Sequence, residues 1–310
     1  MLLTKTALRP DMYRAPSFFY TSAREGMLDF LRNVLAPSGR ILLPAYIGWS
    51  KREGSGVLDP VLEAGAEVDF YNLNVDLSVD VGDLECRLDA GAYQVLVVIH
   101  YFGRTDSRLP AIREMANRYG VLLLEDLAHA FFSALGGGMA GKFGDASLYS
   151  LHKMFPFERG GLIRYSDSSL IRSQKSTLPE ISEELVSYDF SSISRARRRN
   201  FQTLIELLRS TPEHGHRFQL IWPDLDDYDV PQTLPVRIVG SGRDDIYKGV
   251  NEDGYGLVSL YHTLVPQVRA GFPALNLLSR QITNFPVHQD VDISLFPAMV
   301  ASFRKHLNAS

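Results

Sequence analysis

Two short apolar runs, Val95-Leu96-Val97-Val98-Ile99 and Val121-Leu122-Leu123-Leu124, flank the amphipathic stretch Leu109–Tyr119, and this pattern restricts the fold more than any other feature of the chain. A fully apolar, β-branched run of five residues predicts a strand covered on both faces. Strand, eleven-residue helix, strand is a βαβ unit, so the two strands should lie parallel with a right-handed connection. The same alternation extends to both sides. A helical pattern closes at residues 30–35, a strand follows at residues 40–43, and a short helix with Pro60 in its first turn spans residues 59–64. Residues 67–71 alternate as a strand, and Asp80 caps a helix running to Leu88. Further strands are expected at residues 146–149 and 162–165. The expectation is an α/β lobe whose mixed, mostly parallel sheet is covered by helices.

The chain has 310 residues, enough for two lobes. After a polar stretch without period at residues 166–194, a helix is predicted over 194–208, basic at its start and apolar later. Residues 211–310 read as α+β, with strands at 235–239 and 256–260, a helix at 243–250 and a final helix at 291–307. The division expected is 1–200 for a large lobe and 201–310 for a small C-terminal α+β lobe. The formal net charge of −4 gives no general attraction to nucleic acid or membrane. The lone Cys86 rules out an internal disulfide and a cysteine-based zinc site, and is expected on a helix or in the core. Residues 1–10 lack a signal peptide's apolar stretch, no segment approaches a membrane span, and Asn308-Ala309-Ser310 is a chance sequon, so the expected compartment is the cytoplasm.

In open α/β sheets, ligands sit beyond the carboxyl ends of the strands. Three segments place polar groups there: His100-Tyr101-Phe102-Gly103, then Glu125-Asp126 with His129, then Ser150 with Lys153 before Gly160-Gly161. Each alone has a plainer reading, as a helix cap, a structural histidine or a solvated lysine. A buried strand delivering an acid, followed by a lone Lys beside Ser and a Gly pair, is together the layout of a pyridoxal phosphate pocket, where Lys forms the Schiff base and the acid pairs with the pyridinium nitrogen.

The order Pro44-Ala45-Tyr46, Ala64-Gly65-Ala66, His100-Tyr101-Phe102-Gly103, Glu125-Asp126-Leu127-Ala128-His129-Ala130, Gly144-Asp145-Ala146, Ser150 to Lys153 and Gly160-Gly161 resembles the DegT/DnrJ/EryC1/StrS family, with Asn284-Phe285-Pro286-Val287-His288 similar to its segment before the last helix. The resemblance implies a pyridoxal phosphate-dependent transferase of fold type I, a homodimer and an aminotransferase. The acceptor would be a keto sugar, nucleotide-linked, and the donor an amino acid such as glutamate. It implies Lys153, Asp126 and His129 as catalytic residues, with His129 near the cofactor's phenolic oxygen. Ser150 and the helix start at Ser22, Ala23 and Arg24 would hold the phosphate. The lysine follows the serine by three residues instead of the family's usual five, matching a branch with a shortened turn; Lys142 is the rival. The aromatic that stacks on the cofactor would fall near Gly48, leaving Tyr46 or Trp49 for the task. The family's Asn-Tyr-Arg segment has no clear counterpart. Two alternatives therefore stay open: a dehydratase, whose family variant carries His at the lysine position (His152 adjoins it here), and a degenerate member that only binds ligand or partner.

Other signals point away from function. Gly136-Gly137-Gly138-Met139-Ala140-Gly141 has dinucleotide-loop spacing without the strand before it or the helix after it. The Arg195–Arg199 run reads as a solvated helix face or a subunit contact, and His214 with His216 lacks a third metal ligand. Arg237 and Arg243 are candidates for a substrate carboxylate or for surface ion pairs.

Overall fold

The structure, a computed structural model, describes residues 16–309. The expectations for residues 1–10, and for Ser310 of the sequon, lie outside the described residues.

The strands are β1 (Ser17–Tyr20), β2 (Arg40–Pro44), β3 (Glu67–Tyr71), β4 (Val95–Ile99), β5 (Leu122–Asp126), β6 (Ala146–Ser150), β7 (Gly161–Tyr165), β8 (Phe218–Leu220), β9 (Thr233–Ile238) and β10 (Ile282–Pro286). The helices are α1 (Ala23–Val34), α2 (Leu58–Glu63), α3 (Val81–Ala90), α4 (Leu109–Tyr119), α5 (Phe131–Leu135), α6 (Ile181–Leu185), α7 (Phe190–Arg209), α8 (Arg243–Glu252), α9 (Pro266–Arg269), α10 (Pro273–Gln281) and α11 (Phe296–Ala309). Seven strands form one sheet in the order β1-β7-β6-β5-β4-β2-β3. Strands β2 to β6 are parallel, and β7 runs antiparallel to both β6 and β1. The carboxyl ends of β1, β2, β4, β5 and β6 therefore share one edge, where the polar groups were expected. A second, antiparallel sheet has the order β10-β9-β8. The mixed, mostly parallel sheet covered by helices is the fold class that the sequence implied.

Why these residues make these elements is local. All five residues of β4 are buried, as a central strand sandwiched between helix layers must be. Asp80 accepts from the Asp83 amide and starts α3; Gly120, left-handed at φ 67°, ends α4. A second apolar core, including Phe201, Leu204, Val236, Phe285 and Phe303, fills the space between α7, α11 and the small sheet. The C-terminal third also returns to the large core through Leu264, Val265, Leu275 and Leu278.

Three expectations fail. Residues 256–260 are not a strand. They make one isolated bridge, Val258 to Asn284, because the chain is leaving the small sheet to cross back to the large one, turning at Gly256 (φ 61°) and Tyr261 (φ 57°). The last helix starts at Phe296, since Asp292 accepts from the Ser294 amide and draws the preceding residues into a tight turn. The basic run on α7 is only partly a solvated face: Arg197 is buried, its guanidinium 5.0 Å from the Phe132 ring and donating to Gln289. Cys86 lies on α3, exposed. No helix among the described residues is long and apolar enough to cross a membrane.

Candidate active site

A cavity of about 660 Å³ opens at the shared strand edge, walled by Ser22, Ala23, Arg24, Trp49, Asp126, His129, Ser150 and Lys153 among others. Eight of the nine site residues expected from the sequence thus meet in one place. The exception is Tyr46. Its side chain is fully buried, its ring lies 5.3 Å from Tyr261 in a stacked arrangement, and Tyr261 is what faces the cavity. Two residues past the end of β2, the Tyr46 ring packs against Tyr101 and Tyr261 in the core, while Trp49 reaches the cavity wall.

Side chains alternate along a strand, so Glu125 and Asp126 leave β5 on opposite faces. Glu125 turns away from the cavity. Its carboxylate accepts from the amides of Gly141 (2.7 Å), Phe143 (2.8 Å) and Gly144 (2.6 Å), and faces His100 Nε2 at 2.9 Å. Burial pushes its pKa up, but these bonds outweigh it and hold the carboxyl below its ordinary value. His100 is thereby also taken out of the site: it belongs to the packing behind β5. Asp126 is almost fully buried at the cavity and accepts from only the Ala128 amide (2.9 Å). Burial raises its pKa, offset in part by that N–H and by the positive charge of Lys153. Its carboxylate retains acceptor capacity, and its environment favours a cationic N–H partner.

Lys153 stands in a tight turn, Leu151–Lys153, directly after β6. It lines the cavity, with its Nζ 3.2 Å from His129 Nε2. Loss of water around the amine lowers its pKa, and the Asp126 carboxylate restores part of it. His129 is buried, stacked on Phe102 at 6.0 Å and 12°, and its Nδ1 accepts from the Phe102 amide at 3.4 Å. Burial, then the neighbouring lysine, lowers its pKa. With Nδ1 accepting, a neutral imidazole carries its proton on Nε2, facing the Lys153 amine, whose own pKa burial lowers. Lys142, the rival, spends its ammonium on the Gly137 carbonyl in an exposed turn. His152 turns away from Lys153's position toward Ser150 Oγ and the Gly160 carbonyl, each at 3.4 Å.

The anion end of the cavity is built by α1. The Ser22 hydroxyl caps it by accepting from the Glu25 amide at 3.2 Å, which leaves the amides of Ala23 and Arg24 without intrahelical partners. Gly161 explains how the lysine turn and this helix come together: a Cβ there would fall 2.3 Å from the Ser22 carbonyl carbon and 2.4 Å from the Ala23 nitrogen. Only glycine lets β7 press against the helix start.

Sequence reasoning missed the cavity's other wall. Residues Ser259 to Thr263 line it, held by the Trp49 amide donating to Thr263 (2.9 Å) and the Val265 amide donating to Ile47 (2.9 Å). Apart from the glycine at position 48, nothing in the sequence marks this contact between residues some 210 positions apart. Arg237 and Arg243 are not on the wall; Arg237 donates to Gln281 and Arg243 to the Ile282 carbonyl. Among the described residues no group of three His, Cys, Asp or Glu is placed to hold a metal.

Residues 55–180 match the model of the DegT/DnrJ/EryC1/StrS aminotransferase family. A UDP-4-amino-4,6-dideoxy-N-acetyl-beta-L-altrosamine transaminase of Campylobacter jejuni is 31% identical over 121 residues, 37% of this chain and 31% of that protein. GDP-perosamine synthase of Vibrio cholerae is 27% identical over 37% of this chain and 31% of its own length. The matched stretch thus spans under a third of these curated relatives. Over nearly the whole chain, the fold is that of Helicobacter pylori PseC, an aminotransferase involved in the biosynthesis of pseudoaminic acid (TM-score 0.76, 16% identity, 95% of this chain and 87% of that one). It is equally that of NtdA from Bacillus subtilis with bound PMP (TM-score 0.74, 18% identity, 96% and 74%). A DegT DnrJ EryC1 StrS aminotransferase from Brucella abortus superposes with a TM-score of 0.73 at 16% identity over 95% of this chain and 87% of that one. The likeness to that family's model covers residues 55–180, and the fold over nearly the whole chain is that of these aminotransferase structures.

Proposed function

We propose that the chain is a pyridoxal 5'-phosphate-dependent aminotransferase that moves an amino group from an amino acid, with glutamate as the expected donor, to a keto sugar carried on a nucleotide. One observation carries this reading: an amine disposed to be neutral, a buried carboxylate with spare acceptor capacity and a helix start with unpaired amides all face one cavity. Those three donors and acceptors match an aldehyde, a pyridine nitrogen and a phosphate. The names of the sequence relatives, which act on UDP- and GDP-linked sugars, support a nucleotide-linked acceptor.

Pyridoxal phosphate, when bound, supplies an aldehyde that captures amines and a ring that withdraws electrons. The chain's own residues do the rest. Asp126 holds a proton on the ring nitrogen by its charge. Ser22, Ala23, Arg24 and Ser150 fix the phosphate. Lys153 Nζ, kept on line by His129 Nε2, would take a proton from the donor's α-carbon and return it two atoms along, a 1,3-shift. His152 does not occupy the lysine's place, so the geometry favours amino transfer over the dehydratase alternative.

The two lobes we assign are residues 1–200 and 201–310, joined through α7, with the 257–282 stretch returning from the second lobe to the first. We take the working form to be a cytoplasmic homodimer without nucleic-acid or membrane partners. The test is a half-reaction: protein loaded with pyridoxal phosphate should convert glutamate to 2-oxoglutarate stoichiometrically and then aminate a nucleotide-linked keto sugar. A chain that holds the cofactor but releases no oxo acid is the degenerate member instead.

A further inference from the structure

At position 48, where the family's motif would bring an aromatic to the cofactor, this chain has glycine, and its surroundings are specific. The three atoms nearest to a Cβ built on Gly48 all belong to Tyr261, ring carbons at 3.3 and 3.6 Å and the Cα at 3.9 Å. Gly48 has no left-handed φ, so its backbone does not demand glycine. What crowds a side chain there is the Tyr261 ring. Tyr261 in turn is one of four non-glycine residues with positive φ (57°) among the described residues, a conformation that costs energy and persists only where the surroundings impose it. They do: Gly48 bridges to Leu264, and the Trp49 amide donates to Thr263, so the segment is zipped onto the chain beside Gly48. The ring meets His129 edge-on at 5.7 Å and 77°, rests on Tyr46 and Tyr101, and faces the cavity that holds Lys153 and Asp126.

We infer that Tyr261, from the far end of the sequence, supplies the aromatic face for the cofactor ring that position 48 lacks. This rests on the cofactor reading above. Glycine at 48 and tyrosine at 261 are then two halves of one substitution: the ring has moved to another segment and the old position has emptied to admit it. Trp49, also on the wall but substantially exposed (39%), is the competitor.

The test measures pyridoxal 5'-phosphate affinity of the full chain by fluorescence quenching, with the visible circular dichroism of the bound cofactor as a second signal. Tyr261→Phe should bind as the unsubstituted chain does. Tyr261→Leu, which keeps volume but not the π face, should weaken binding about two- to tenfold and change the dichroism. Gly48→Phe in a Tyr261→Ala background should recover affinity relative to Tyr261→Ala alone, which separates a lost ring from a damaged fold. Unchanged affinity and dichroism in Tyr261→Leu, or a loss confined to Trp49→Leu, would overturn the assignment while leaving the cofactor reading standing. No binding by the unsubstituted chain would remove both.

Discussion

Glu125 and Asp126 are neighbours on one strand, yet the regions they serve differ in kind. On the loop side, three amides and His100 use up the Glu125 carboxylate. On the cavity side, Asp126 accepts one amide and is otherwise left facing a lysine amine. A buried carboxylate whose bonds are all filled is holding the fold together; one kept short of partners beside a cavity is waiting for a ligand. Position in a motif does not distinguish the two; the bonding does.

The largest effect expected on the cavity side is at Lys153. Lys153→Ala should lower amino transfer by at least about 10²–10⁴-fold, the range for losing a positioned acid–base group, without altering the melting temperature. A fall in melting temperature with activity retained would turn the comparison around. On the loop side, Glu125→Ala should cost about 3–5 kcal/mol in denaturant unfolding, because it strands three buried amides and His100. The stability that Glu125 contributes has a definite pH dependence. Its folded pKa lies below its unfolded one, so the contribution is present above the ordinary carboxylate range and is lost as pH falls through the lowered folded value.

Asp126 should behave oppositely. Its folded pKa is raised, so ionising it opposes folding of the cofactor-free chain as pH rises through that value. Asp126→Asn should therefore leave the cofactor-free melting temperature at neutral pH unchanged or higher, while amino transfer falls by roughly 10²-fold or more through loss of the charge on the ring nitrogen. Equal destabilisation by Glu125→Ala and Asp126→Asn would abolish the distinction. The smallest effect is at the hinge between the two halves of the site: Gly161→Ala should destabilise by about 1–3 kcal/mol and weaken binding of inorganic phosphate, since the added methyl displaces the start of α1.

These contrasts also explain what could be read from the sequence. The β4–α4–β5 unit was legible because apolar β-branched runs and a 3.6-residue period are local signals. Lys153, Asp126 and His129 were legible because each stands at or within three residues of a strand's carboxyl end, so strand order alone brings them to one edge. His100 and Tyr46 were misplaced for the converse reason: which face a strand-end residue takes depends on the residue's own position in the alternation and on partners such as Glu125 and Tyr261. The wall at residues 259–263 was illegible altogether. Its register comes from backbone bonds to Ile47 and Trp49, and such bonds leave no mark on side-chain identity except the empty position at Gly48.

The central claim is that the Lys153 amine is the one that condenses with the cofactor's aldehyde. Borohydride reduction of the full chain in the presence of pyridoxal 5'-phosphate, followed by peptide mass mapping, tests it directly. The modification should fall on the peptide containing Lys153 and vanish in Lys153→Ala. Modification at Lys142 instead, or none at Lys153 at saturating cofactor, would contradict the account.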